Sequence, residues 1–354
     1  MSEKYTACII GVGRIGFSLG FDRKREQPAS HTMALLANPR IKLIAGCDVD
    51  RKKLTDWKTY VKRRSFFNFY ASKNSPAIFL NVDELFLHCS PDIAVIAVNE
   101  EFHLDTALKV ISKKPRLVIL EKPVALNVSD AKKVLKKSKK YNIPVLINHE
   151  RRFAVDYKLA YDYINKIGDV QKINASLFSG MKLYDPSEEK TGFYSLLHDG
   201  THLIDIVLYL LESLKSPEIS KPVITGLVKD KKDKKIIRAF SANFSSKKVP
   251  DISFFMSGKS RFFGFEVEVI GTEGRISIGN GHAEFYSRQE SNLYTGFYSL
   301  QKDRSVKVPE KTLYFSNMVQ NAVDYLDGKA ALKSTVENGI AVLKIIEEIK
   351  HSLL

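Results

Sequence analysis

A glycine-rich motif near the start of the chain constrains its fold most strongly. The motif is Gly11-Val12-Gly13-Arg14-Ile15-Gly16, and it follows the apolar run Ala7 to Ile10. In a strand-turn-helix unit, the first glycine permits a tight turn, the second lets the backbone approach a pyrophosphate, and the third lets the helix pack on the strand. Free N–H groups at the start of the helix then attract the anion. The motif therefore predicts a dinucleotide-binding βαβ unit at the start of the first domain.

The hydrophobic periodicity divides the chain into two parts. Short apolar runs alternate with helical patterns in the first part, which is typical of a doubly wound parallel sheet. After about Asn148 the apolar residues recur with period two, which favours a mostly antiparallel sheet with a few helices. We therefore predict an α/β protein with an N-terminal Rossmann domain at residues 1–124. A C-terminal α/β domain with a large open sheet is expected at residues 125–354, the boundary lying as late as about residue 150.

A carboxylate follows the second predicted strand, at Asp48. In this position it accepts hydrogen bonds from the adenosine ribose and repels a 2'-phosphate, so NAD is favoured over NADP. Arg51 and Lys52 follow closely and could accommodate that phosphate. Asp48 lies 32 residues after Gly16, whereas about 20 is the usual spacing. The excess is assigned to a loop inserted at Phe21 to Ser30, after which a helical pattern resumes.

Capping residues indicate where two further helices begin. Ser129 is the predicted N-cap of a helix that runs to Tyr141. The last helix of the chain is expected to start from a capping box formed by Ser334 and Glu337.

Composition and charge exclude several classes of protein. The formal net charge is +15, but the lysines are spread over surface segments without interleaved aromatic residues, which argues against a nucleic-acid groove. The apolar runs fall far short of the roughly 20 residues of a membrane span. The N-terminus lacks the zones of a signal peptide, and the three cysteines lack metal-ligand spacing. We expect a cytoplasmic protein with buried thiols, no metal, and no nucleic-acid or membrane partner.

Further motifs follow the glycine motif and Asp48 in a fixed order. The fifth predicted strand ends in Glu121-Lys122-Pro123, and ligands of a doubly wound sheet bind at the carboxyl ends of its strands. The order of these motifs resembles the glucose-fructose oxidoreductase, inositol dehydrogenase and MocA family over essentially the whole chain. The other motifs that carry the resemblance are the turn from Ala97 to His103, Arg151-Arg152-Phe153, Gly200-Thr201-His202-Leu203-Ile204-Asp205 and Ile270-Gly271-Thr272-Glu273-Gly274-Arg275.

The resemblance implies NAD(P)-dependent oxidation or reduction of sugars, cyclitols and related compounds, by a homodimer or homotetramer. It places Lys122 between nicotinamide and substrate, and His202 opposite the reacting hydroxyl. A histidine can take the hydroxyl proton as hydride leaves the carbon, while a lysine stabilises the alkoxide charge. The implied cofactor-binding residues are Gly11, Gly13, Arg14, Ile15, Gly16, Asp48, Val98, Asn99, His103, Glu121 and Lys122, and the implied substrate-binding residues are Lys122, Arg151, Asp199 and His202.

Two positions leave the assignment of roles open. Many members of the family have an aspartate four residues before the histidine, on the same helix face. Here that position is His198, and Asp199 follows it. Either His198 shares the handling of the proton with His202, or Asp199 turns inward because the helix starts later. Arg151 either binds a substrate anion or is an ordinary surface arginine.

Three functions remain compatible with these residues. The first is a sugar or cyclitol dehydrogenase or reductase. In the second, a transient oxidation by bound NAD leads to a net elimination or glycosidic cleavage. The third is a non-catalytic dinucleotide sensor, against which the reactive lysine of the Glu121-Lys122-Pro123 triplet argues. The bond before Pro123 is also expected to be cis, since X-Pro bonds adopt that form at low cost.

Overall fold

The computed structural model describes residues 4–67 and 75–354. Within them the chain forms two compact units, each built from two segments. The first unit comprises Met1–Phe153 with Leu313–Ile340, and the second comprises Ala154–Thr312 with Ala341–Leu354. Among the described residues, no helix has the length and apolar composition needed to cross a bilayer.

The first unit is built on a parallel sheet of six described strands. Their spatial order is β3-β2-β1-β4-β5-β6, so the order reverses between β1 and β4. The residues of β4 and the first four of β5 are fully buried and apolar, as expected for a sheet covered on both faces. The predicted doubly wound Rossmann sheet is therefore confirmed. The strands are β1 Tyr5–Ile10, β2 Ile41–Cys47, β3 Ala77–Phe79, β4 Ile93–Ile96, β5 Leu117–Glu121 and β6 Val145–Asn148.

The second unit contains an eight-stranded sheet in the order β14-β13-β12-β11-β7-β10-β9-β8. Strands β7 and β10 pair in parallel, and the other neighbours pair antiparallel. The predicted, mostly antiparallel sheet is therefore confirmed. The strands are β7 Val170–Phe178, β8 Val223–Lys229, β9 Ile237–Phe244, β10 Asp251–Ser257, β11 Gly264–Gly271, β12 Gly274–Gly279, β13 His282–Glu290 and β14 Tyr298–Lys302.

Helices pack on both sheets. In the second unit, α6 and α8 lie against the sheet, and all apolar side chains of α8 are buried. The helices are α1 His31–Ala37, α2 Arg51–Phe67, α3 Val82–His88, α4 His103–Ser112, α5 Val128–Tyr141, α6 Val155–Tyr163, α7 Ser195–His198, α8 Gly200–Ser213, α9 Tyr314–Leu326 and α10 Val336–Leu353.

The helix expected directly after the glycine motif is interrupted. Hydrogen-bonded turns follow Gly13, and α1 begins only at His31. The N–H of His31 donates to the carbonyl of Ile15 at 3.1 Å, and the N–H of Thr32 donates to the carbonyl of Gly16 at 3.0 Å. In an uninterrupted helix residues 19 and 20 would make these bonds. The chain thus leaves the helix and returns to it 12 residues late, which accounts for the long spacing between Gly16 and Asp48.

The structure also corrects the two predicted helix starts. Helix α5 begins at Val128, and the side chain of Asn127 accepts a hydrogen bond from the N–H of Asp130 at 2.8 Å, so Asn127 rather than Ser129 is the N-cap. The hydroxyl of Ser334 lies 3.0 Å from Nδ1 of His149 and does not cap α10. Thr335 stands directly before α10. Its N–H donates to Oδ1 of Asn338 at 2.9 Å, so the reciprocal contact falls one residue later than predicted.

Candidate active site

The three motif glycines differ in what surrounds them. Gly11 has φ +92°, and a Cβ there would lie 2.5 Å from the carbonyl oxygen of Ala97. A Cβ at Gly16 would lie 2.0 Å from the carbonyl oxygen of Gly11. A Cβ at Gly13 would meet no atom within 4 Å. Packing therefore requires the first and third glycines, whereas Gly13 faces open space.

The backbone after Gly13 supplies donors for an anion. The N–H of Phe17 returns to the carbonyl of Gly13 at 2.9 Å, and the N–H of Leu19 returns to the carbonyl of Arg14 at 2.8 Å. In the part of the chain that the structure describes, the N–H groups of Gly13, Arg14, Ile15 and Gly16 donate to no protein acceptor. Although this turn is short, it offers the free donors that a helix start normally presents to phosphate.

Asp48 is tied to the glycine loop. Its Oδ2 accepts the N–H of Val12 at 2.9 Å, and its Oδ1 accepts the N–H of Asp50 at 2.9 Å. Each oxygen keeps a second lone pair with which it can accept from a ribose hydroxyl. Arg51 and Lys52 are exposed in the first turn of α2. The carboxylate and the two cations that the sequence weighs against one another therefore lie at the same end of β2.

The turn after β4 is held by a buried histidine. Nδ1 of His103 lies 2.6 Å from the carbonyl oxygen of Pro123, and Nε2 lies 3.0 Å from that of Val98. Burial lowers the pKa of His103, and a neutral ring has one N–H to donate. The ring links the Val98-Asn99 turn to the loop after β5. Both ring nitrogens of His103 therefore face backbone carbonyls of these two loops rather than a ligand.

Glu121 ends β5 inside a buried polar cluster. Its Oε1 lies 2.5 Å from Nε2 of His31 and accepts the side-chain amide of Asn148 at 2.6 Å. Burial opposes ionisation, but these hydrogen bonds hold the pKa of Glu121 below its ordinary value. Lys122 follows directly, and the bond from Lys122 to Pro123 is cis, as predicted.

Sequence reasoning missed two members of this cluster. Asn148 stands opposite Glu121 in the register of β5 and β6, so the predicted strands alone could have placed it there. The sequence gave no sign that His31 would contact Glu121, because this contact depends on the path of the inserted loop.

The arginines after β6 have different surroundings. Arg151 and Arg152 lie in a 3-10 turn at Glu150–Phe153. Arg152 is buried with Phe153, whereas the Arg151 side chain is 13% exposed and lies 3.3 Å from Oε1 of Glu150. Arg151 is therefore the one of the two that retains access to a ligand.

The second unit carries the histidines of the catalytic prediction. Helix α7 ends at His198, α8 begins at Gly200, and Asp199 forms the join. The hydroxyl of buried Ser195 donates to Oδ2 of Asp199 at 3.1 Å. The N–H of His202 donates to the carbonyl of Asp199 at 3.1 Å. His198, Asp199 and His202 are all partly exposed, and the Ser195 hydroxyl holds one oxygen of the Asp199 carboxylate.

Comparison with known proteins agrees with the Rossmann fold of the first unit. Residues 6–149 match the model of the Gfo/Idh/MocA oxidoreductase family, which describes its NAD-binding Rossmann fold. This N-terminal segment of the chain is therefore similar to the Rossmann domain of that family. The predicted resemblance is thereby confirmed.

Named dehydrogenases and oxidoreductases are similar to this chain over most of its length. A glucose-6-phosphate 3-dehydrogenase of Bacillus subtilis (strain 168) is 23% identical over 270 residues, which are 73% of each chain. A structure named as an NADPH-dependent oxidoreductase of Desulfitobacterium hafniense aligns with TM-score 0.79 and 13% identity, over 99% of this chain and 96% of the other. The WlbA dehydrogenase of Bordetella pertussis, in complex with NADH and UDP-GlcNAcA, aligns with TM-score 0.71 and 14% identity, over 99% and 97%. The structural likenesses show a shared fold.

Proposed function

We propose that this protein is an NAD-dependent dehydrogenase or reductase that interconverts a secondary alcohol and a ketone of a sugar, cyclitol or sugar derivative. The observation that carries the proposal is the arrangement at one edge of the parallel sheet. The open phosphate loop follows β1, a fixed carboxylate follows β2, and Lys122 follows β5. Such an edge is where open α/β sheets bind their ligands.

Lys122 and His202 divide the work on the reacting hydroxyl. When bound, the nicotinamide exchanges a hydride with the alcohol carbon. In the oxidation direction, an imidazole nitrogen of His202 takes the hydroxyl proton, and the Lys122 ammonium stabilises the negative charge that grows on that oxygen. In the reduction direction His202 returns the proton. Arg151 and Asp199 orient the substrate through its polar groups. These roles come from the resemblance of the motifs and from the chemistry of the side chains.

We assign the role of the family aspartate to Asp199 rather than to His198. The support is the hydrogen bond from Ser195, which fixes the carboxylate at the join of α7 and α8. A carboxylate beside His202 would stabilise the imidazolium that forms when the proton is taken.

NAD is the proposed cofactor. The Asp48 carboxylate supports this choice because it would repel a 2'-phosphate. If NADP were bound instead, Arg51 and Lys52 are the cations that would hold the phosphate.

The carbohydrate class of the substrate rests on the named relatives. One acts on glucose 6-phosphate, and the WlbA structure contains UDP-GlcNAcA. We further propose a cytoplasmic homodimer or homotetramer. Large exposed apolar side chains at the β13–β14 hairpin support an assembly, and size-exclusion chromatography with light scattering would test it. They are Leu293, Tyr294, Phe297, Tyr298 and Leu300.

A turnover screen tests the proposed function. Purified protein is incubated with NAD and a panel of sugars, sugar phosphates, inositols and nucleotide sugars, while NADH absorbance and product are followed together. Stoichiometric NADH and ketone support the proposal. Product without net NADH would indicate a recycled cofactor and a net elimination or cleavage. Cofactor binding without conversion of any of these compounds would point to a sensor.

A further inference from the structure

We infer that His31 is a positioning residue for the nicotinamide end of the site, acting through Glu121. It rests on the proposed function, because Glu121 precedes the proposed catalytic Lys122. The inference concerns one buried cluster, which consists of His31, Glu121 and Asn148.

The loop inserted in the first crossover, at Phe21 to Ser30, places His31 beside Glu121. His31 is the first residue of α1, and its N–H replaces the one that residue 19 would supply to Ile15. Its side chain is fully buried, and the ring packs edge-on against Phe315 with centroids 5.1 Å apart. The imidazole is therefore held in one orientation. Nothing in the glycine motif itself requires a histidine at this position. The contact between His31 and Glu121 therefore depends on the length of the inserted loop.

The two donors bind the same oxygen of Glu121. His31 and Asn148 both contact Oε1. Within the described residues Oε2 accepts no hydrogen bond, yet it is not sealed off, because the Glu121 side chain keeps 8% exposure. One oxygen is thus anchored, and the other remains an acceptor at the carboxyl end of β5.

The Glu121 carboxylate determines how His31 and Asn148 are oriented. Nδ1 of His31 and Oδ1 of Asn148 are buried and have no partner in the described part of the chain. A buried polar atom without a partner is costly. Both side chains leave one polar atom unmatched while placing a nitrogen against Glu121. That orientation is reasonable because an unpaired buried carboxylate would cost more than one unpaired polar atom of a neighbouring side chain.

Anchoring Glu121 fixes the chain where Lys122 begins. Glu121 pairs with Asn148 through the register of β5 and β6, and His31 ties the same side chain to α1. The adenosine end of the cofactor would lie at the ends of β1 and β2, on the glycine loop and Asp48. Loss of His31 is therefore expected to weaken interactions at the nicotinamide end and to spare those at the adenosine end.

Two ligands separate these ends. NADH binding is titrated by its fluorescence, and ADP-ribose, which lacks the nicotinamide, is titrated by calorimetry. For His31→Ala we expect NADH binding to weaken at least about tenfold while ADP-ribose binding changes less than about twofold. His31→Gln keeps an N–H donor and should restore much of the NADH affinity. The matched control is His149→Ala, which removes another buried histidine of the same unit that contacts Ser334 instead of Glu121.

A double-mutant cycle tests whether His31 acts through Glu121. Glu121→Gln alone should weaken NADH selectively, and adding His31→Ala should cost little more, since coupled residues are not additive. Equal losses for NADH and ADP-ribose, additive effects, or an unchanged ratio in Glu121→Gln would each overturn the inference. An unchanged ratio in Glu121→Gln would overturn the inference even if His31→Ala failed to fold. If the unmutated protein bound neither ligand, the proposed function would fail instead.

Discussion

The N–H of Val12 donates a hydrogen bond to Oδ2 of Asp48 across 2.9 Å, which joins the glycine loop to the end of β2. The second oxygen is fixed by the N–H of Asp50 at 2.9 Å. The carboxylate therefore cannot swing away from the glycine loop without breaking two hydrogen bonds. These hydrogen bonds hold the negative charge of Asp48 at the glycine loop.

The first prediction concerns cofactor preference. Replacing Asp48 with Ser removes the charge that repels a 2'-phosphate while leaving Arg51 and Lys52 in place. We expect the ratio of NADPH to NADH affinity to rise at least about tenfold, or about 1.4 kcal/mol. Fluorescence titration with both cofactors measures it. Asp50→Asn is the control. It removes a nearby negative charge whose carboxylate caps α2 through the N–H groups of Lys52 and Lys53. Tighter NADPH binding by the unmutated protein would contradict the assignment.

The second prediction separates two glycines of one motif. Gly13→Ala meets no protein atom within 4 Å, so the free energy of unfolding should change by less than about 1 kcal/mol. Cofactor affinity should nevertheless fall at least about tenfold because the methyl group fills the pyrophosphate space. Gly16→Ala places a Cβ against the Gly11 carbonyl and should destabilise the fold by about 1–3 kcal/mol.

Denaturant unfolding and cofactor titration of both variants check this contrast. If Gly13→Ala bound the cofactor as tightly as the unmutated protein, the open space beside Gly13 would not be the pyrophosphate site.

Local pattern was sufficient to predict much of the fold. The strands β1, β2, β4, β5 and β6 form in the part of the chain where short apolar runs predicted a doubly wound sheet. In β4 and the first four residues of β5 these runs are fully buried. The period of two after Asn148 likewise identified the antiparallel sheet. Such signals are carried by consecutive residues and need no knowledge of distant partners.

Features that depend on distant contacts could not be predicted in this way. Helix α1 begins at His31, directly after the predicted inserted loop, but the hydrogen bonds that return the chain to the carbonyls of Ile15 and Gly16 could not be predicted. The cap before α10 was misplaced because Ser334 binds His149, which is far away in sequence. The turn from Ala97 to His103 suggested ligand contact and gave no sign that His103 would be buried between two carbonyls.

The third prediction concerns the pH dependence of stability. Asp327 receives a bidentate pair from Arg40 at 2.9 and 3.0 Å and a hydrogen bond from Tyr5 at 2.7 Å. The contacts with Arg40, Lys329 and Tyr5 lower the pKa of Asp327 in the folded state. Its stabilisation is therefore complete above the unfolded pKa of about 3.9 and is lost as the pH falls further. Asp327→Asn should lower Tm at pH 7, by at least about 2 °C, and the difference from the unmutated protein should shrink towards pH 3.

Calorimetric Tm values between pH 3 and pH 8 would show this trend, provided that unfolding is reversible. The matched control is Asp83→Asn, which removes an exposed carboxylate paired with Lys109 and Lys113. It should change Tm less, since exposed ion pairs contribute little. A Tm difference for Asp327→Asn that stayed constant with pH would rule out the ionic origin.

The fourth prediction concerns the two proposed catalytic residues. Lys122→Ala leaves the phosphate loop and Asp48 intact, so ADP-ribose affinity should be unchanged while turnover falls by roughly two to four orders of magnitude. His202→Ala should lose a similar factor, but its residual oxidation rate should rise with pH as hydroxide replaces the base. Lys133→Ala, an exposed lysine of α5 paired with Asp130, is the control. Near-normal turnover in Lys122→Ala would show that Lys122 does not stabilise the charge on the reacting oxygen.

The fifth prediction decides between His198 and Asp199. If the Asp199 carboxylate takes the role of the family aspartate, Asp199→Asn should lower kcat at least about tenfold, or roughly 1.4 kcal/mol of barrier. Ser195→Ala keeps that carboxylate but removes the hydroxyl that holds it, so kcat should fall by a smaller factor of about two to ten. His198→Ala should then stay close to the unmutated protein. All three variants are compared by steady-state turnover of NAD with the substrate found in the screen. A tenfold loss in His198→Ala, with Asp199→Asn unaffected, would give the shared handling of the proton to the two histidines instead.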